Sequence, residues 1–160
     1  MRLANQFDDE QIKLLGQITA EFPLLDTLLS LTLAHLKGKG IEIGSFVGHG
    51  FETKRKQIKK LLKSEYRHKP YATDLLNILS AMKAINQRRV DITHGLAAYT
   101  DPTLDGNRVW VRERKDKNYP DVTTEFLRTL LADMRATNER LTTLLLEHGL
   151  LNAEPLAKSS

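Results

Sequence analysis

Three long segments of the chain carry apolar residues at the three-and-four spacing of an α-helix that is buried along one face. They span residues 24–36, 71–94 and 122–148. In the middle segment the apolar stripe consists of Leu75, Ile78, Leu79, Met82, Ile85 and Ile92. A period near 3.6 residues suits helices and is incompatible with strands, whose side chains alternate. We therefore predict an all-α fold, a bundle of four to five helices.

Local signals indicate where these helices begin and end. Asp8 is a plausible N-cap, and Gln11 three residues later completes a capping-box pattern. Pro23 is expected to kink or restart the first helix, which then continues to the glycine-rich stop at residues 38–40. A further helix is expected over residues 51–66. The last helix is expected to end near residue 148.

The period changes between the last two helices. Val109, Trp110 and Val111 favour a strand, and residues 96–100 are a candidate partner strand. Asp105-Gly106 supplies a turn signal between them. We predict a small β-hairpin inserted before the last helix.

Composition limits the classes of protein to which the chain can belong. Its 160 residues suit one domain, which we place at residues 1–151 with a flexible tail at 152–160. The chain has no cysteine, which excludes disulfides and thiolate chemistry. No signal peptide or membrane-spanning segment is evident, so we expect a cytoplasmic protein with no membrane partner. No metal site or cofactor is expected. The formal charge of +4 permits an anionic partner.

The apolar stripe of the middle helix contains one charged residue. At about 100° per residue, Arg89 falls near the centre of the stripe, whereas Arg88 lies roughly 110° away from it. An arginine in this position needs anionic or polar partners. His94 follows near the expected helix end, with Gly95 as the C-terminal stop. The plainer alternative is an arginine that pairs with a buried carboxylate and a histidine that caps helix carbonyls.

The stretch at residues 88–95, Arg-Arg-Val-Asp-Ile-Thr-His-Gly, resembles the motif of the HEPN superfamily in its Arg-x4-His-Gly spacing. HEPN domains are small helical bundles, and many are metal-independent ribonucleases of toxin–antitoxin and phage-defence systems. The overall plan covers most of the chain, while the specific match covers about eight residues. Family members commonly carry asparagine or another polar residue where this chain has Val90, and some carry tyrosine where it has Leu96.

The resemblance implies that Arg89 and His94 are catalytic. His94 would act as general base or acid on a ribose 2′-hydroxyl, and Arg89 would hold the scissile phosphate. The resemblance also implies a homodimer in which two motif helices form one cleft, and a possible antitoxin or nucleotidyltransferase-type protein partner. The alternative is a catalytically inactive HEPN-like bundle that serves as a binding or assembly module, a function that Val90 favours.

Basic residues crowd the helix predicted at residues 51–66 and its flank. They are Lys54, Arg55, Lys56, Lys59, Lys60, Lys63, Arg67 and Lys69. A second basic group surrounds the predicted hairpin. From these groups we predict RNA contacts at Lys56, Lys59, Lys63, Arg112 and Arg114, and a further contact at Arg88 of the motif stretch. The alternative for the helix is a basic face that is simply solvated.

Overall fold

The computed structural model describes residues 7–38, 48–100 and 122–151, with the side chains of residues 93–100 left out. It contains helices α1 (Asp9–Leu36), α2 (Phe51–Lys63), α3 (Ala72–Thr100) and α4 (Thr124–Glu147). These ranges contain helices and no strand, which confirms the all-α prediction for this part of the chain. The predicted turn and strand at residues 105–111, like the tail at 152–160, lie outside the described residues.

The predicted capping box begins α1. The Asp8 carboxylate accepts a hydrogen bond of 2.8 Å from the Gln11 amide, and Gln11 Oε1 accepts one of 3.1 Å from the Asp8 amide. Pro23 does not restart the helix, because α1 runs through it as one element. Pro23 lies on the exposed face of α1, while Leu25, Leu28 and Leu29 on the opposite face are buried. This tertiary packing stabilises the helical conformation through the proline. Gly38, at φ 65°, follows the end of α1, as predicted.

Helix α3 is longer than the sequence predicted. It passes through Gly95 and continues to Thr100, so residues 96–100 are helical and the prediction of a strand there is wrong. Residues 96–98, Leu-Ala-Ala, are strong helix formers, which offsets the roughly 1 kcal/mol cost of one internal glycine.

Each helix packs against two neighbours, α1 and α3 both contacting α2 and α4. Helices α1 and α2 run parallel, because later residues of α1 contact later residues of α2. Phe22 lies against Phe51 at 4.9 Å between ring centroids, and Lys37 Nζ donates to Gln57 Oε1 at 3.0 Å. Helix α2 therefore begins beside Phe22. The half of α1 that precedes Phe22 extends beyond the start of α2.

Helix α4 runs parallel to α1 and antiparallel to α3. The defining contacts are Glu10–Arg128 and Glu21–Arg135 for α1 with α4, and Tyr71–His148 and Arg88–Asp133 for α3 with α4. The core between the helices is formed largely by leucine, isoleucine and methionine, as the periodicity predicted. Leu75, Leu79, Met82 and Ile85 of the predicted stripe are at most 1 % exposed.

One core residue of α4 is poorly satisfied. Asn138 is 8 % exposed, and its Oδ1 has no hydrogen-bond partner among the described residues. A buried acceptor without a partner carries a desolvation cost of about 1–3 kcal/mol. We expect Asn138→Leu, a change of similar volume, to raise the free energy of unfolding by about 1 kcal/mol.

Urea unfolding followed by circular dichroism measures this difference. The matched control is Asn77→Leu at an exposed position of α3, which makes the same change of helix propensity without relieving a buried acceptor. A stabilisation no greater than that of the control would show that the Asn138 amide has a partner in solution.

Candidate functional site

Arg89 lies on the inner side of α3, as the periodicity predicted, and is half-buried. Its guanidinium carbon lies 4.0 Å from the centroid of the Phe22 ring, and its Nη2 donates to Asn86 Oδ1 at 3.3 Å. Burial lowers the pKa of the Arg89 guanidinium from its ordinary value, while the negative charge of Asp26 acts in the opposite direction. The side chain is therefore a partly desolvated cation held against an aromatic ring.

A buried ion pair lies close to this arginine. Lys54 of α2 is 1 % exposed, and its Nζ lies 2.6 Å from Asp26 Oδ1 of α1. The same ammonium donates to Ser30 Oγ at 3.0 Å. The carboxylate whose charge acts on Arg89 is thus engaged by a lysine from another helix.

Arg89 lies where three helices meet. Phe22 of α1 contacts both the Arg89 guanidinium of α3 and the ring of Phe51, the first residue of α2. Beyond this level α3 continues for 11 more residues to Thr100. Arg89 of α3 therefore lies beside the first turn of α2. Helices α1 and α3 both continue beyond this first turn, where α2 is absent.

His94 lies on α3, and its side chain is outside the described residues. Because the helix is continuous from Arg89 to Thr100, positions 89 and 94 are about 7.5 Å apart along the axis and about 140° apart around it. The two positions are on different sides of one helix.

Arg88 connects α3 to α4. Its Nη2 lies 2.6 Å from Asp133 Oδ2, and the Arg88 side chain is 25 % exposed. Asp91 accepts a hydrogen bond of 2.8 Å from Gln87 Nε2 on the same helix. The predicted RNA contact at Arg88 would have to compete with the carboxylate of Asp133.

The basic residues of α2 divide into two groups. Lys54 and Arg55 are buried and pair with Asp26 and Glu52, so they do not belong to the exposed basic surface that the sequence suggested. Four exposed lysines remain at the i, i+3, i+4, i+7 spacing of one helix face. This α2 basic face consists of Lys56, Lys59, Lys60 and Lys63.

The other predicted RNA contacts, Arg112 and Arg114, lie outside the described residues. Sequence reasoning missed Phe22, which touches Arg89, and Asp26, which holds Lys54. Phe22 and Asp26 are four residues apart on α1, a spacing that places them on one face but does not reveal which helix they meet.

Two shallow clefts elsewhere are not lined by Arg89. One lies between α3 and α4 beside Asp74, Glu139 and Glu147, and the other lies beside Lys37 and Tyr66. Within residues 7–38, 48–100 and 122–151, no group of three or more acidic or histidine side chains is arranged to hold a metal ion. No helix in these ranges is long and apolar enough to cross a membrane.

The comparisons with known proteins leave the family open. No protein-family model matches the chain, and no curated protein or solved structure shows significant similarity to it. The residues of the site are therefore the basis for a function.

Proposed function

We propose that this chain is a metal-independent endoribonuclease of HEPN type that acts as a homodimer through Arg89 and His94. The observation that carries the proposal is the half-buried Arg89 cation, held over Phe22 on the inner side of α3, with a histidine five residues later. Such a cation is suited to bind a phosphodiester and to stabilise the charge that develops on its oxygens. A toxin or phage-defence effector in the cytoplasm, with an antitoxin or nucleotidyltransferase-type partner, is the biological setting we propose.

The reaction follows from the chemistry of the two side chains. Neutral His94 removes the proton from a ribose 2′-hydroxyl, and the 2′-oxygen attacks the adjacent phosphorus. The bond from phosphorus to the 5′-oxygen breaks, leaving a 2′,3′-cyclic phosphate and a 5′-hydroxyl. The leaving 5′-oxygen takes a proton from the His94 imidazolium of the second copy, so the two histidines of the dimer begin the reaction in opposite protonation states and end it with those states exchanged. Arg89 binds the non-bridging oxygens throughout.

Cleavage of RNA by the purified protein in EDTA tests the proposal. We expect cuts in tRNA or mixed single-stranded RNA that leave 2′,3′-cyclic phosphate ends. Absence of cleavage by a folded dimer would favour the second function, an inactive HEPN-like binding or assembly module, which Val90 supports. A monomer at working concentration would contradict the composite cleft.

The α2 basic face should add affinity for RNA through phosphate contacts. We expect the triple substitution of Lys56, Lys59 and Lys63 by Glu to weaken binding and to flatten its salt dependence. For single-stranded RNA the slope of log K against log salt should fall in magnitude by about 2, since each lost contact removes about 0.7. Fluorescence anisotropy over a salt series measures both quantities.

The matched control reverses an equal number of exposed charges elsewhere. Substituting Lys13, Lys83 and Arg140 by Glu makes the same change in net charge on α1, α3 and α4. Equal losses in the two triple variants would indicate that only net charge matters. In that case the α2 basic face would be a solvated surface.

A further inference from the structure

Phe22 links the candidate catalytic arginine to the start of α2. One contact of its ring is the Arg89 guanidinium, at 4.0 Å, and another is the Phe51 ring, at 4.9 Å between centroids. Phe22 is partly buried and packs against the core, so its position is fixed by the fold. The ring is therefore a rigid surface beneath a long, flexible cationic side chain.

An aromatic ring restrains arginine differently from a carboxylate. A carboxylate binds the N–H groups at the edge of the guanidinium, which are the same groups that bind phosphate oxygens. A ring attracts the cation through its π face and does not accept those in-plane hydrogen bonds. The ring therefore limits the rotation of the side chain without occupying the N–H groups at the guanidinium edge, one of which donates to Asn86.

The ion pair beside the site strengthens this argument. Asp26 is the carboxylate whose charge acts on Arg89, and its Oδ1 lies 2.6 Å from the ammonium of Lys54. The competing anion is thus engaged by a buried cation. The Phe22 ring lies over the guanidinium carbon at 4.0 Å and restrains it together with Asn86 Oδ1, which accepts from Nη2.

We propose that Phe22 is a positioning residue that holds the Arg89 guanidinium in place for a phosphodiester. This inference rests on the proposed function and extends it to a residue with no reactive group. Because the side chain is ordered before RNA binds, less conformational entropy is lost when the complex forms.

Kinetics of three variants test the proposal. Phe22→Leu removes the π face, and we expect kcat/KM for RNA cleavage to fall about tenfold, in keeping with a partly desolvated cation–π contact. Phe22→Tyr keeps the ring and should remain within about twofold of the wild type. The control is Phe126→Leu on α4, which removes another partly buried ring that packs against the core, and it should retain activity.

A spectroscopic readout separates positioning from folding. The Arg89 Nε–H resonance, assigned by its loss in Arg89→Lys, should be shifted upfield by the Phe22 ring in the wild type. The shift should disappear in Phe22→Leu and persist in Phe22→Tyr and Phe126→Leu. Together with the tenfold loss of kcat/KM, this pattern would support the inference.

Different results would contradict the positioning role of Phe22 and the proposed ribonuclease function. If the wild type cleaves RNA and Phe22→Leu cleaves it equally well, or if no upfield shift exists, the positioning role is wrong and the ribonuclease proposal stands. If the folded wild-type dimer neither binds nor cleaves RNA, the proposed function fails and the positioning role fails with it.

Discussion

Arg89→Ala should lower kcat/KM for RNA cleavage by at least about a thousandfold. Loss of a single hydrogen-bond donor to a developing anion costs about 100- to 1000-fold in other enzymes, and Arg89→Ala removes an entire guanidinium. His94→Ala should cost about 100- to 10,000-fold, the usual contribution of a general acid or base. The measurement is single-turnover cleavage of a labelled oligonucleotide in EDTA.

The pattern among variants is more informative than any single loss. Because the two residues would act on one transition state, the double variant should be little worse than the more damaging single variant. Added imidazole should restore part of the activity of His94→Ala but none of that of Arg89→Ala. Arg140→Ala, an exposed arginine on α4, is the matched control and should retain wild-type activity. Equal activity in all variants would identify a contaminating nuclease and contradict the assigned site.

Asp26→Ala should destabilise the protein by about 3 kcal/mol, the low end of the range for breaking a buried ion pair. The substitution leaves the Lys54 ammonium, whose side chain is 2 % exposed, without its carboxylate. The low end applies because the Asp26 side chain is 40 % exposed, so water already reaches part of the pair. Thermal and urea unfolding measure the loss.

Lys54→Met should be far milder, although it breaks the same ion pair. Methionine fills a similar volume in the core, and the carboxylate that remains is accessible to water. In the double variant Asp26→Ala with Lys54→Met, most of the loss should be recovered, because neither charge of this ion pair remains. Glu10→Ala, which breaks the exposed Glu10–Arg128 pair, is the control and should leave the unfolding midpoint unchanged. Equal losses for Asp26→Ala and Lys54→Met would show that the asymmetry of burial is unimportant.

The sequence predicted those features that depend on neighbouring residues. The capping box at Asp8, the end of α1 near Gly38 and the inward position of Arg89 all follow from short-range spacing, and the structure confirms them. Helix α2 ends at Lys63, three residues before the predicted end. Helix α3 extends past Gly95, the predicted stop, because the helix formers at residues 96–98 offset the cost of the glycine.

The surroundings of Arg89 could not be predicted, because they come from distant parts of the chain. Phe22 precedes the arginine by 67 positions, and nothing in its own neighbourhood indicates a cationic partner. The sequence does not distinguish Lys54 from the exposed lysines of the same basic helix. It is buried because its face of α2 packs against α1, where its ammonium contacts Asp26 and Ser30. Periodicity shows that a face is buried, whereas it does not show which face of another helix will cover it.

The parallel packing of α1 with α2 and α4 has a consequence for the order in which the protein folds. Helices α2 and α3 are close in sequence and antiparallel, so their contacts close a short loop and can form early. The ion pairs between α1 and α4 join residues 118 and 114 positions apart, and none of them can form until α4 has left the ribosome. The leucine-rich side of α1 is therefore synthesised before α4, which covers it, and during that interval it is an exposed apolar surface in need of protection.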